Sequence, residues 1–452
     1  MAKLELEIIK NAGIVGAGGA GFPTYVKLDA QVDLLIINGA ECEPLIHVDR
    51  QLLGQYFERI YDGIRIAAKL TGAKRIILAL KAKYKDTIKV IEDFKNQNEK
   101  TSDLKFELFK LGNFYPAGDE QVLVYEVTGK VVPEGGIPLQ VGIVVINVET
   151  LLNISNALNG ENVIRKFVTV NGEVGKPLTI KVPVGTPIRK LIDFCGGITV
   201  SEYAVLDGGP MMGKLVDLNT YAVKKTTKSI IVLPDSSIVI EHKKRIIKKA
   251  IKRAQAICLS CRMCTDLCPR YLLGHDIFPD EMMKKMYRGE LTDEDLEKYD
   301  FAFMCCDCGV CELYSCVVDL SARSLFNYIK DELTKKGIKN PHTRYDITAN
   351  EFRQYRKVPV DRLEKRLEID RYNSKAPLAD FNAGIGEIKL YLSQHIGAPS
   401  IPVIQPGMIV KEGDLVADIP EGKIGSRIHS SINGIVSEVN EAYISVRESK
   451  NA

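Results

Sequence analysis

The chain has 452 residues, 45% of them apolar, and a net charge of +3. That length exceeds one ordinary hydrophobic core and implies about three domains or more. The absence of tryptophan and an aromatic content of 7% argue against a stacking platform for nucleic acid, and no apolar run approaches the roughly 18 to 20 residues of a membrane span, so a soluble chain is expected.

The first informative segment is Gly13-Ile-Val-Gly16-Ala-Gly18-Gly19-Ala-Gly21-Phe22-Pro23-Thr24, with five glycines in nine residues. Glycine costs backbone entropy and lets main-chain N–H groups approach a phosphate ahead of a helix. Alone, the loop admits either phosphate binding or an ordinary tight turn, and it precedes the first clear strand where a Rossmann loop follows one. Residues 34–37, 75–80 and 141–146 then read as short strands, and 86–94 and 149–158 carry helical spacing. This alternation predicts an α/β domain with a largely parallel sheet. Polar groups gather where those strands end: Asn38-Gly39-Ala40-Glu41-Cys42-Glu43-Pro44, Tyr115-Pro116-Ala117-Gly118-Asp119-Glu120-Gln121 and Asn147-Val148-Glu149-Thr150. The carboxyl ends of parallel strands are where open α/β sheets bind ligands.

From Phe167 the texture changes to short strands. Residues 168–173 read as a strand entering a hairpin turn at Asn171-Gly172, followed by a strand at 178–182 and a helix at 187–194 that stops at Gly196-Gly197. Residues 242–255 read as one basic helix with seven Lys and Arg residues. They offer either a dock for an acidic redox partner or a solvated face.

Nine of the eleven cysteines follow, as Cys258-x2-Cys261-x2-Cys264-x3-Cys268-Pro269 and Cys305-x2-Cys308-x2-Cys311-x4-Cys316, with Cys306 as an extra. Three thiolates set two residues apart can wrap one multi-iron cluster, and in two-cluster ferredoxins the fourth cysteine of each motif ligates the other cluster. One [4Fe–4S] cluster is therefore expected on Cys258, Cys261, Cys264 and Cys316, the other on Cys305, Cys308, Cys311 and Cys268. The x4 spacer before Cys316 and the Val317 after it leave Cys306 as an alternative last ligand. Zinc sites favour paired Cys-x2-Cys or Cys/His patterns, and disulfides belong to small secreted domains; neither suits this spacing. His275, just after the first motif, reads as a surface or core residue. Residues 320–382 are charged and mostly helical in pattern, a connector. Beyond 382, turns at Pro406-Gly407, Glu412-Gly413-Asp414 and Asn433-Gly434 punctuate short strands in the manner of a lipoyl-type barrel-sandwich, without a lysine in a Met-Lys-Met tip.

The glycine loop and the three strand ends together resemble the 51-kDa flavin-binding subunit family of respiratory complex I. That resemblance implies FMN, with Gly16, Gly18, Gly19, Gly21 and Lys27 on its phosphate side and Asn38, Glu41, Tyr115, Gly118, Asp119, Asn147 and Thr150 around the remainder. It places Phe22, Glu43 and Glu120 beside NADH. Ala17, Ala40 and Ile146 depart from the family pattern and motivate one alternative, a cluster shuttle with a degenerate flavin site. The whole chain, with Gly208-Gly209-Pro210-Met211-Met212-Gly213 and the two-cluster insert, resembles the RnfC family of electron-transport proteins. A barrel-sandwich at the C-terminus, Cys305-Cys306-Asp307-Cys308 and Tyr271-Leu272-Leu273-Gly274-His275 make it similar to the cobalamin reductases of propanediol-utilisation microcompartments.

These resemblances imply a multidomain α/β protein: a Rossmann-like FMN/NADH domain (1–160), an SLBB β-grasp domain (161–235), a helical two-[4Fe–4S] ferredoxin-like domain (236–335), a helical connector (336–382) and a barrel-sandwich hybrid (383–452). They imply an NADH-dependent oxidoreductase with no protein acid or base at its centre, and a corrinoid or a corrinoid adenosyltransferase as acceptor. The implied setting is cytoplasmic, with a microcompartment interior and its shell proteins as surroundings. An Rnf-type component linking NADH and ferredoxin is the other enzyme reading.

Overall fold

The computed structural model describes residues 2–98, 104–288 and 292–449. Strands β1 (Leu34–Gly39), β2 (Arg75–Lys81), β3 (Glu107–Leu111) and β5 (Ile143–Asn147) form an all-parallel sheet in the order β3-β2-β1-β5, with the two-residue β4 (Phe114–Tyr115) outside it. Leu35, Ile37, Leu78, Leu80, Val144 and Ile146 enter one core, and Leu34, Ile36, Ile77, Ala79, Ile143 and Val145 enter another on the opposite face. Both faces are covered, so these strands are apolar throughout, as parallel strands between helical layers must be. Helices Phe57–Thr71 and Val148–Leu158 pack on the first face so closely that a Cβ on Gly63 would stand 2.1 Å from the Leu151 carbonyl oxygen. The expected strands and helices of this region are all present.

The strand order reverses at β1, which has β2 on one side and β5 on the other. Asn38 and Asn147 are paired in register at the carboxyl ends of those two strands. That crevice is where such sheets take ligands.

A six-stranded sheet follows. β6 (Arg165–Gly172), β7 (Leu178–Pro183), β8 (Tyr203–Asp207), β9 (Lys214–Val216) and β10 (Ser229–Pro234) supply five of its strands in the order β7-β6-β10-β8-β9, the sixth coming from far along the chain, with helix Ile188–Phe194 against them. Asn171-Gly172 is not the expected hairpin turn. β6 runs through it, because Asn171 and Gly172 pair in parallel with Ile231 and Val232 of β10, and the turn falls after them. A Cβ on Gly172 would lie 2.0 Å from the Val232 carbonyl oxygen, so the glycine serves close strand approach.

The single basic helix expected over 242–255 is two helices, Ile238–Lys244 and Ile247–Ile257, separated by extended backbone at Arg245 and Ile246. Arg245 donates at this corner to the carbonyl of Asp319. The connector also differs from expectation. Helix Ala322–Lys335 ends it early, residues 338–350 lack regular structure, and β11 (Val358–Pro359) pairs with β4 before helix Val360–Arg366. β12 (Leu378–Asp380) then adds to the free edge of β7. The stretch is extended because its backbone bonds to other segments: Glu134 N donates to Arg344 O, and Asn350 N to Leu272 O. The C-terminal region has two small sheets. β13 (Glu387–Tyr391), β15 (Ile409–Val410), β18 (Gly434–Val439) and β19 (Tyr443–Glu448) form one; β14 (Ile401–Pro402), β16 (Leu415–Asp418) and β17 (Ile428–His429) form the other. Among the described residues no helix is long and apolar enough to cross a membrane.

Candidate flavin and iron–sulfur site

The glycine loop closes on itself: Gly16 N donates to Phe22 O at 2.9 Å, and Thr24 N to Ile14 O at 3.1 Å. Its tip, Gly18 to Ala20, is exposed above the β1/β5 crevice. Ala17 N donates to Thr150 Oγ1 at 3.0 Å, and a Cβ on Gly18 would meet Asn147 Cβ at 3.4 Å. Asn147 caps helix Val148–Leu158 through Glu149 N and donates to Asp49 Oδ2. The loop therefore sits over the crevice, and among the described residues the Gly18, Gly19 and Ala20 N–H groups at its tip have no protein acceptor, a cradle suited to a phosphate. The helix after it, Thr24–Leu28, has only five residues.

The other strand ends converge on the same place. Asn38 Nδ2 donates to Gly118 O at 2.9 Å, and a Cβ on Gly118 would press on Cys42 Sγ at 3.2 Å. Lys27 and Glu120, expected on the phosphate and NADH sides, pair with each other at 2.7 Å. Asp119 caps helix Glu120–Thr128 through Gln121 N and Val122 N. It also takes both ends of the Arg270 guanidinium, at 2.6 and 2.9 Å. Burial would raise its pKa, yet Arg270 and the two N–H donors hold it below the usual carboxylate range.

Two acids point elsewhere. Glu41 is buried, accepts from Asp49 N at 2.7 Å, and is pushed up to about 7 by burial and then by the Asp49 charge. Glu43, expected beside NADH, turns to the Gly208–Gly213 loop: it accepts from Met211 N at 3.1 Å and Met212 N at 2.8 Å, and from the Tyr115 hydroxyl at 3.4 Å. A Cβ on Gly209 would overlap its carboxylate.

Several residues here carry no local sequence signal. Lys228 donates to Asp49 Oδ2 at 2.6 Å across 179 residues, and the buried Lys166–Glu149 pair supports the helix that presents Thr150. Lys81, at the end of β2, is buried with Cys42 and Glu41 nearby, and burial pulls its pKa down to about 8.

The cysteines fall into two groups. Cys264 feels the charges of Cys316 and Cys261; Cys311 feels those of Cys305 and Cys268 and, less strongly, of Cys264 across the gap between the groups; and Cys308 feels those of Cys306, Cys268 and Cys311. Cys316 thus stands with the first motif and Cys268 with the second, while Cys306 is a fifth thiol beside the second group. Left-handed residues at Ser260, Arg262, Asp307 and Gly309 curl the chain between the thiols. Leu320 N donates to Cys316 Sγ at 3.2 Å and Asp307 N to Cys305 Sγ at 3.4 Å. Burial pushes the Cys264 and Cys268 thiols up to about 12 and Cys305 up to about 11, so metal coordination is what would hold them as thiolates. Among the described residues no three His, Cys, Asp or Glu side chains converge on a single ion.

The two regions touch. The buried Tyr115 hydroxyl donates to Cys308 O at 2.8 Å, and Arg270 of the first motif holds Asp119.

The sequence matches family models described as Nuo51 FMN-binding domain over 9–156, SLBB domain over 167–215, 4Fe-4S dicluster domain over 257–321 and RnfC barrel sandwich hybrid domain over 372–452. It is 39% identical over 445 residues to a cobalamin reductase PduS of Citrobacter freundii, covering 97% of this chain and 95% of that protein. The chain belongs to the cobalamin reductase PduS family. The Salmonella typhimurium PduS is 38% identical, again over 97% of this chain and 95% of the relative. A component of the Na(+)-translocating ferredoxin:NAD(+) oxidoreductase complex of Acetobacterium woodii is 33% identical over 59% of this chain and 58% of that protein. As a member of the PduS family the chain is a flavin and iron–sulfur oxidoreductase, with FMN and two [4Fe–4S] clusters as its cofactors.

Proposed function

We propose that this chain accepts electrons from NADH and delivers them to a corrinoid, reducing cob(III)alamin for a corrinoid adenosyltransferase, in the cytoplasm and within a microcompartment bounded by shell proteins. FMN supplies the exchange between two-electron hydride chemistry and one-electron chemistry, and the clusters accept single electrons. The single observation that carries the reading is the join at residues 115–119: Gly118 O accepts from Asn38 at the end of β1, while Tyr115 and Asp119 on either side of it are bonded to Cys308 O and Arg270.

In this reading the N–H groups of Gly18 and Gly19 at the exposed tip, with Lys27, hold the flavin phosphate, while Gly16 and Gly21 shape the loop, the Gly16 N–H being bonded to Phe22 O. Asn38, Tyr115, Gly118, Asp119, Asn147 and Thr150 enclose the remainder, and Glu41 supports them from behind through Asp49, which also accepts from Asn147. Phe22 and Glu120 meet NADH, and Glu43 serves mainly to tie the Gly208–Gly213 loop to the flavin domain. Cys258, Cys261, Cys264 and Cys316 hold one cluster; Cys268, Cys305, Cys308 and Cys311 hold the other, and Cys306 is no ligand. The working division is 1–160 for flavin and NADH, 161–235 for the β-grasp unit, 236–335 for the clusters, 336–382 for the connector and 383–452 for the barrel-sandwich. No side chain is asked to move a proton; the chain's task is to position and to exclude water.

The decisive experiment is anaerobic reconstitution with FMN, iron and sulfide, then titration with NADH and addition of aquacobalamin. NADH should bleach flavin and cluster absorbance, and the corrinoid spectrum should shift to a reduced form. Failure to retain flavin would sink the reading and leave the cluster shuttle. The Rnf-type reading is favoured by the likeness to the Acetobacterium woodii protein; it requires turnover to depend on membrane partners.

A further inference from the structure

The two cysteine groups differ in what surrounds them. The second lies against the flavin domain, through Tyr115 to Cys308 and through Arg270, which also feels Cys306 and Cys308. Cys268, Cys308 and Cys311 are buried. The first group faces outward, and Cys261 is exposed. Around it lie large apolar side chains in water: Leu259 at 63% exposure and Val317 at 64%, with Ile257 and Met263 also exposed. Val317 follows Cys316, and Arg253 of helix Ile247–Ile257 donates to Val318 O at 3.3 Å, so the helix and the Cys316 loop are one surface.

That helix is Ile-Lys-Lys-Ala-Ile-Lys-Arg-Ala-Gln-Ala-Ile, with four cations and no acid, and it runs directly into Cys258. Lys248, Lys249, Lys252 and Arg253 are exposed. Acids near the group are paired with cations: Asp280, whose charge reaches Cys264, with Lys284, Asp266 with Arg262 and Arg356, and Asp319 with Arg366. A solvated helix face needs no apolar neighbours, and a buried core would not leave Leu259 and Val317 in water. An apolar centre with a rim of one charge is the make-up of a transient protein interface, where complementary charge steers the encounter.

We infer that the face formed by helix Ile247–Ile257, residues 257–263 and Val317 docks an acidic protein that carries its own one-electron centre. The inference rests on the electron-transfer reading above and sets its direction: electrons enter beside the second cysteine group and leave beside the first. At each encounter the chain loses one electron and the partner gains one, with no bond made or broken and no proton moved.

An acidic plant-type [2Fe–2S] ferredoxin is the probe, titrated calorimetrically into the cofactor-loaded protein, with basic cytochrome c as the opposite-charge control. Ferredoxin should bind, cytochrome c should not, and affinity should fall about tenfold or more between about 50 and about 300 mM salt. The Lys248→Glu/Lys252→Glu variant should lose about tenfold in affinity while keeping its iron content. Leu259→Ser/Val317→Ser should weaken binding with the salt dependence unchanged. Lys85→Glu/Lys89→Glu, on an exposed helix of the flavin domain, should bind as the wild type does. Absence of ferredoxin binding, or equal loss from both charge reversals, would overturn the docking face. Because these titrations use no NADH, a failure of NADH to bleach the flavin is a separate result that counts against the electron-transfer reading alone.

Discussion

At the scale of single residues, position in space sorts what spacing leaves open. Cys306 and Cys316 are both candidates for a last cluster ligand by sequence, and the fold sets Cys316 beside Cys264 and Cys306 beside Cys308. Cys316→Ala should therefore lower iron from about eight to about four per chain, with the EPR signal of one cluster lost, whereas Cys306→Ala should keep both. Glu41 is a second case. Its pKa is raised in the folded chain, so the folded state binds the proton more tightly between the ordinary carboxylate value and about 7. The cost of its charge is absent below that window and fully present above it. Glu41→Gln keeps an oxygen for Asp49 N and removes the charge. It should melt like the wild type near pH 4.5 and gain on the order of 3 kcal/mol by pH 8, read as a rising difference in melting temperature.

At the scale of elements, the glycine loop is held by two others. Lys225 Nζ, buried in the segment before β10, donates to Gly13 O at 2.7 Å, Arg427 O at 2.5 Å and Ser426 Oγ at 3.3 Å. Ile396 N donates to Gly21 O at 3.2 Å, and a Cβ on Gly21 would collide with Thr226. Lys225→Met removes the donor and strands buried acceptors, a cost of about 1–3 kcal/mol. FMN affinity should drop about tenfold by fluorescence titration, and proteolysis near residue 382 should accelerate. None of this is legible in the sequence, since Gly13 and Lys225 are 212 residues apart. The loop and the cysteine motifs are legible because their chemistry is local. Asn171-Gly172 misleads for the opposite reason: the dipeptide carries a turn signal, and a distant strand, β10, overrides it. The basic helix misleads likewise, its break at Arg245 being made by the Asp319 carbonyl far along the chain.

At the scale of the whole molecule, distant pairs join the crevice to the rest, among them Asp49 to Lys228, Asp119 to Arg270, and Tyr115 to Cys308. Arg270→Met leaves the Asp119 charge buried with its two helix N–H donors alone, a loss of about 3–5 kcal/mol. In rapid mixing, NADH should still bleach the flavin of that variant, with cluster bleaching slowed. Tyr115→Phe gives up the hydroxyl's bond to Cys308 O and its longer contact with Glu43, about 1–2 kcal/mol together, and should slow the same step less. The strap after the clusters has a consequence of its own. It returns to pair β11 with β4 and β12 with β7, so the metal-bearing segment is anchored where it leaves the β-grasp sheet and again where it comes back. A segment sewn down at both ends is no swinging arm; current between flavin and metal runs through a soldered joint, and the rate of that internal transfer should stay level as the solvent is thickened with sucrose.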